Sequence, residues 1–258
     1  MDEMRFKEIC ETKIKFNQST TKIGMMKEKT LHLVIKEYFG DGGLVEHKIK
    51  NYHVDVFKNG KVIEIQTGNF DKLRKKLDVL LKEYQVMIVY PIAYMKWVSY
   101  INPNTGEISK KRLSPKRGNI YDCFKELYKI KFYLDNPNLS LCLLLIDMYE
   151  YKLLNGYSED KRKGASKVER YPCSLKSEIY FNSTIDYLKF LPLTLPKRFT
   201  TKDYASHCKI RLKNAQLGLH LIHYLKIIER VDKIGNLIVY QISDKYSQDS
   251  LLLNNYVS

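Results

Sequence analysis

The segments YHVDVF and KVIEIQT, joined by Lys58-Asn59-Gly60, constrain the fold more than any other part of the chain. Asn-Gly between two β-branched runs is the strongest local hairpin signal, because the favoured two-residue turn needs positive φ at both central positions. Strands are therefore expected at about 52–57 and 61–67. Side chains alternate faces along a strand, so Glu64 and Gln66 share a face and the hairpin brings Asp55 beside them. Glu64 stands between Val62-Ile63 and Ile65. A carboxylate buried in such a setting must be paired or must coordinate a cation. Two arrangements satisfy the pattern: the wet face of an amphipathic hairpin, or a set of oxygen donors for a hard ion such as Mg2+. In the second, water on the ion supplies a nucleophile for phosphodiester hydrolysis. Spacing alone leaves both open.

The elements around the hairpin follow from periodicity. Leu31, Val34, Ile35, Tyr38 and Phe39 recur at helical spacing over 28–39, and Gly40, Gly42 and Gly43 end that helix. Glu28, His32 and Lys36 lie four apart on one face of it, so Glu28 or His32 can reach toward the hairpin; Glu28 also suits the dipole of a helix start. Glu37 and Glu46 are weaker candidates. Phe70, Leu73, Leu77, Leu80 and Leu81 predict a helix whose Lys72, Lys75 and Lys76 form a solvated basic face or supply charge to the hairpin site, and VMIVYPI predicts a buried strand after it. The order is helix, hairpin, helix, strand. A basic loop containing Lys116 and Arg117 leads to a helix expected near 120–134, and LSLCLLLIDMYEY at 139–151 is apolar enough for a central strand or a buried helix.

These boundaries give an N-terminal extension over 1–25, an α/β domain over 26–152, a linker or connecting segment over 153–182, a compact unit over 183–245 and a tail over 246–258. The compact unit reads as helix STIDYLKFL, a second helix capped by Thr200 with Asp203, a third over about 212–225 and a hairpin turning at Lys233-Ile234-Gly235-Asn236. Three helices plus a hairpin is the layout of a winged helix. Leu217, Leu221, Ile222 and Leu225 supply the core face of its third helix, leaving Arg211, Lys213, Asn214, Gln216 and His220 toward solvent. Arg, Asn and Gln are the side chains that pair two-pronged with base edges.

Composition bears on the partner. Across 258 residues, 44 Lys and Arg against 29 Asp and Glu give a net charge of +15, which attracts polyanions and makes DNA the first partner to consider. A lysine-rich genome would produce the same excess. The five cysteines are scattered and form no C-x-x-C pair, so neither a disulfide framework nor a zinc finger is indicated. No apolar run reaches spanning length and MDEMRFKEICETK is no signal peptide, so a cytoplasmic protein away from membranes is expected.

Asp55 with Glu64-Ile65-Gln66, inside this order of elements, resembles the core of the PD-(D/E)XK restriction-endonuclease-like superfamily. Within it, the chain is similar to an uncharacterised bacterial group that reads E-x-x-LH-x-x-x-K, an Asp-bearing strand, EIQT-x-NF and a leucine-rich basic helix. Here those are Glu28 through Lys36, His53-Val54-Asp55, Glu64 through Phe70, and Lys72 through Leu81. YPI at 90–92, KW at 96–97, SPKRG at 114–118 and the C-terminal unit extend the likeness over about 26–243. The resemblance implies a restriction-endonuclease-like mixed sheet flanked by helices, followed by a winged-helix domain. It implies a DNA endonuclease using Mg2+ (or Mn2+), with Asp55, Glu64 and the Ile65 carbonyl as metal ligands, Gln66 in the catalytic set and Glu28 completing it. Lys116, Arg117, Arg211, Lys213, Asn214 and Gln216 would then touch duplex DNA, and double-strand cutting would call for a homodimer. Two positions depart from the superfamily signature: Val54 replaces its Pro, and Gln66 replaces the Lys that orients water and stabilises developing charge. A non-catalytic DNA-binding protein on a degenerate nuclease scaffold is the alternative, and a protein-interaction module is a third reading.

Overall fold

The computed structural model of the chain describes residues 1–20, 29–157 and 164–247. In chain order the elements are α1 (Glu3–Thr20), α2 (Thr30–Gly40), β1 (Leu44–Ile49), β2 (Tyr52–Lys58), β3 (Lys61–Ile65), α3 (Arg74–Leu80), β4 (Gln85–Ile101), β5 (Arg112–Leu113), α4 (Phe124–Lys129), β6 (Leu139–Leu153), β7 (Ser166–Phe181), β8 (Phe199–Thr200), α5 (Thr201–His207), α6 (Leu212–Tyr224), β9 (Ile228–Ile234), β10 (Leu237–Ile242) and α7 (Asp244–Ser247). The fold is mixed α/β. One sheet has seven strands in the order β1-β2-β3-β4-β6-β7 with β5 on β4, and a second has three in the order β8-β10-β9. No helix among the described residues is long and apolar enough to cross a membrane.

The expected hairpin closes through Asn59 and Gly60, with φ of 50° and 74°. A side chain at Gly60 would meet nothing, so it is the backbone angle that favours glycine there. β3 stops at Ile65, short of the expected 67, because Gly68 (φ 156°) and Asn69 (φ 56°) turn the backbone out of the extended region. The strand β1 ahead of the hairpin carries no sequence-based expectation; it pairs antiparallel with β2 from Leu44↔Phe57 to Ile49↔Tyr52.

Contacts divide the chain into two compact units, neither continuous in sequence. The first comprises Met1–Thr67, Val89–Asn119 and Leu143–Ile179. It contains α1, whose Phe6 and Cys10 are buried, with the Phe6 ring edge-on to Tyr38 at 5.3 Å. Much of the expected N-terminal extension is thus a packed helix of this unit. It also contains most of β7, which corrects the reading of 153–182 as a linker. That segment looks soluble because Lys167, Glu169, Arg170 and Lys176 are charged, yet Glu169 is 3% exposed. Its carboxylate accepts the Thr30 N–H at the start of α2 (3.2 Å) and the Arg170 N–H (3.0 Å), which compensates the buried charge.

The second unit comprises Gly68–Ile88, Ile120–Cys142 and the described part of Tyr180–Ser258. So α3 and α4 group with the C-terminal helices and not with the first unit, and the expected contiguous domains over 26–152 and 183–245 are corrected. The core here is aromatic: Phe190 stacks on Phe181 and meets Phe124 edge-on, both at 4.8 Å between centroids. Gly218 of α6 permits the approach to α4, since a Cβ there would lie 2.3 Å from a Phe124 ring carbon. The helix expected at 120–134 is broken into a 3-10 turn at Ile120–Cys123, α4, and a second 3-10 turn at Lys131–Tyr133. STIDYLKFL is likewise 3-10 over Thr184–Phe190.

Candidate active site

The strand registers set the geometry around the hairpin. Val45↔Val56 and His47↔Val54 bracket Glu46 opposite Asp55, and Val56↔Ile63 places Glu64 next in the same row. Residues directly opposite in an antiparallel pair share a face. Two neighbouring strands therefore carry Asp55 and Glu64, the carboxylates expected to converge, in one cross-strand line, while Glu46, at φ 51°, departs from extended backbone across from Asp55.

The three differ in environment. Glu64 is 2% exposed. Asp55 is intermediate, and its Oδ2 accepts the Ile65 N–H at 2.7 Å and lies 3.4 Å from His32 Nε2 on α2. Helix α2 thus covers this face, and the four-residue spacing of His32 and Lys36 aims both at the row. Lys36, itself buried, reaches Glu46 Oε1 at 2.8 Å. That hydrogen bond and the ammonium charge hold the Glu46 carboxyl below its ordinary range, with nearby Asp55 acting in the opposite sense. Glu46 is thus within the electrostatic reach of Asp55.

Gln66 lies just past the end of β3, half-buried, with its N–H donating to the Val89 carbonyl at 2.9 Å. Ile65 is buried, and its N–H is the group Asp55 holds. Glu28, expected to complete the set, lies outside the described residues. Among the described residues no group of three or more His, Cys, Asp or Glu side chains is placed to hold a metal ion. A metal here would rest on the two carboxylates, a backbone carbonyl and water. That all-oxygen set fits Mg2+ or Mn2+, which bind through one or two carboxylates and retain water.

The residues expected to touch DNA divide into exposed and engaged groups. In the first unit, Lys116 and Arg117 are exposed, and the Arg117 guanidinium lies 6.0 Å from the centre of the Tyr94 ring. In the second, Arg211, Lys213 and Gln216 are exposed at the start of α6. Asn214 is not available for base contacts as expected: its Nδ2 donates to the Tyr121 carbonyl at 2.9 Å, tying α6 to the turn before α4. Leu217, placed in the helix core by the sequence, is half-exposed, whereas Leu219 is buried.

Further buried charges, on β4, β6 and β7, have no counterpart in the expected site. Asp147 accepts the Met95 N–H at 3.0 Å and pairs with Lys176 at 3.4 Å, and Glu150 takes Lys96 at 3.1 Å and Lys152 at 3.7 Å. Burial lowers the Arg170 pKa while Glu150, Tyr90 and Glu169 oppose that shift. Each of these carboxylates has a cation or an N–H to compensate it, the arrangement expected of a structural network.

Residues 29–182 match the protein family described as Domain of unknown function (DUF8091). The chain belongs to this family. The DUF8091 match opens at the residue before α2 and closes just past β7, so it includes Glu46, Asp55, Glu64 and the helix that covers this face of the sheet. An uncharacterized protein of Treponema pallidum (strain Nichols) is 29% identical over 204 residues, covering 74% of this chain and 78% of the relative. No solved structure matches the chain.

Proposed function

We propose that this chain is a Mg2+-dependent DNA endonuclease of the PD-(D/E)XK type, with its centre at Asp55, Glu64 and Gln66. The observation that carries this reading is the register that sets Asp55 opposite Glu64 on the α2-covered face of the sheet. Between α2 and α3 the chain forms β1 and the β2–β3 hairpin, and β4 follows, an order that supports this reading.

Each residue has a defined task in this reading. Asp55 and Glu64 supply carboxylate oxygens and Ile65 its carbonyl; the Ile65 N–H and His32 fix the orientation of Asp55. Bound Mg2+ supplies charge neutralisation at the scissile phosphate and lowers the pKa of its water. Gln66, held by its backbone to β4, orients the attacking water by a side-chain hydrogen bond but brings no charge. The second unit binds duplex DNA as a winged helix, with three helical segments and the β9–β10 hairpin, offering Arg211, Lys213 and Gln216; the loop residues Lys116 and Arg117 add phosphate contacts. Cutting of both strands would require a homodimer.

A specific observation favours a second reading, a DNA-binding protein on a degenerate nuclease scaffold. Asp55 Oδ2 already braces Ile65 and His32, and Gln66 stands where the superfamily has Lys. Nicking of supercoiled plasmid decides between them. The endonuclease reading expects nicking in Mg2+ that EDTA abolishes and that Asp55→Asn and Glu64→Gln each reduce at least a hundredfold; equal nicking by the variants removes Asp55 and Glu64 as the site, and no nicking by the wild type leaves the scaffold reading.

A further inference from the structure

Away from the start of α6, the second unit carries a cluster of cations and rings that neither the resemblance nor the proposed cleavage uses. Lys131 Nζ lies 4.8 Å from the ring centre of Phe132, 5.0 Å from that of Tyr128 and 5.7 Å from that of Tyr224. Phe132 meets Tyr224 edge-on at 5.7 Å, and Tyr128 meets His220 edge-on at 5.2 Å. Beside them an open cleft of about 570 Å³ is lined by His223, Tyr224, Lys226, Ile228, Glu229 and Ser243. The Glu229 carboxylate there accepts a hydrogen bond from Gln241 at 2.9 Å.

Two features separate this patch from an ordinary solvated surface. Phe132 is 61% exposed beside Tyr224 and Lys131, so much of its ring is open to solvent. Among the described residues, Lys131 and Arg230 form no ion pair with a carboxylate, so their charge is available. Burial lowers the pKa of both His220 and His223; Lys131 and Arg230 add to that shift at His220, and Arg230 and His220 at His223. Both cations thus act on the imidazoles of this cluster, and Glu229 on the adjoining cleft wall is hydrogen-bonded to Gln241.

We propose that the patch formed by Lys131, Phe132, His220, Tyr224 and Arg230 binds a single-stranded stretch of nucleic acid, with a base stacked on Phe132 and phosphates at Lys131 and Arg230. An exposed ring among cations is the stacking platform that unpaired bases use, whereas duplex DNA hides its base faces except at ends and breaks. A protein partner would have to be acidic, and nothing on the patch other than its charge favours one. The inference rests on the reading of the chain as a nucleic-acid protein, but not on cleavage.

Fluorescence anisotropy with the full chain, in EDTA, tests it with a labelled 20-nucleotide dT strand and a 20-base-pair duplex. Phe132→Ala is expected to weaken dT binding about tenfold, as loss of one stacked base does, while Phe132→Trp restores it. Because Phe132 is largely exposed, the truncation leaves the core intact, which an unchanged melting temperature verifies. Lys131→Gln with Arg230→Gln is expected to flatten the slope of log K against log salt by roughly 1.4, about 0.7 for each phosphate released. Wild-type dT binding unaffected by Phe132→Ala, or no dT binding at low salt, overturns the proposal. Because the measurement is made in EDTA, where the cleavage reading expects no cutting, dT binding is read independently of whether the protein cuts DNA.

Discussion

On the proposed reading, Asp55 has two tasks that pull against each other. Its Oδ2 accepts a 2.7 Å hydrogen bond from Ile65, locking β2 to the end of β3, and a bond to a charged acceptor contributes about 1.5–3 kcal/mol. Asp55→Asn is therefore expected to lower stability in urea melts as well as to stop nicking. Glu64→Gln keeps shape and removes charge from a 2% exposed position, so on the proposed reading it should stop nicking. Asp55 and Glu64 were legible as a pair from alternation and the Asn-Gly turn. Helical spacing already pointed His32 toward the hairpin, but the Lys36–Glu46 pair and the burial of Glu64 depend on how α2 packs on the sheet, which no local pattern encodes.

At the level of elements, local chemistry predicts best where the side chain and its partner are close in sequence. Thr200 and Asp203 form the expected capping box, with the Thr200 N–H donating to Asp203 Oδ2 at 2.8 Å. That bond, followed by the one from the Thr200 hydroxyl, holds the Asp203 carboxyl below its ordinary 3.8. A lowered folded-state value means that the cap stabilises above pH 3.8 and that its contribution is lost as pH falls through the folded value. Thr200→Ala should cost about 1 kcal/mol at pH 7, and the difference from wild type should shrink in acid melts below pH 4. β7 shows the opposite case. Its charges read as a loop because Glu169 is satisfied by the start of α2, more than a hundred residues away in sequence. Gly218 is similar: α6 alone would favour alanine there by about 1 kcal/mol, yet the Cβ would meet the Phe124 ring at 2.3 Å. Gly218→Ala is expected to destabilise by about 1–3 kcal/mol through overpacking, and Phe124→Leu in the same chain should recover part of it. A stabilising Gly218→Ala would show that α6 and α4 yield easily.

For the molecule as a whole, the sequence indicated the α/β class and most strands but misjudged how the chain is partitioned. Strands β4 and β6 each begin in one compact unit and continue in the other, so a boundary drawn along the sequence separates residues that pack together. Truncation at residue 152, which sequence-based domains suggest, should therefore give an aggregating or unfolded fragment, because it removes β7 from the sheet and the aromatic residues Phe181, Phe190 and Tyr204 from the second unit's core. A monomeric, cooperatively melting 1–152 fragment would contradict this partition. The claim on which the functional account turns is that Asp55 and Glu64 bind one divalent ion between neighbouring strands. Anomalous diffraction from crystals soaked in Mn2+ tests it directly. The account predicts a single peak about 2.0–2.3 Å from a carboxylate oxygen of each residue, absent in Glu64→Gln; no peak at this pair, or a peak that persists in the variant, would contradict it.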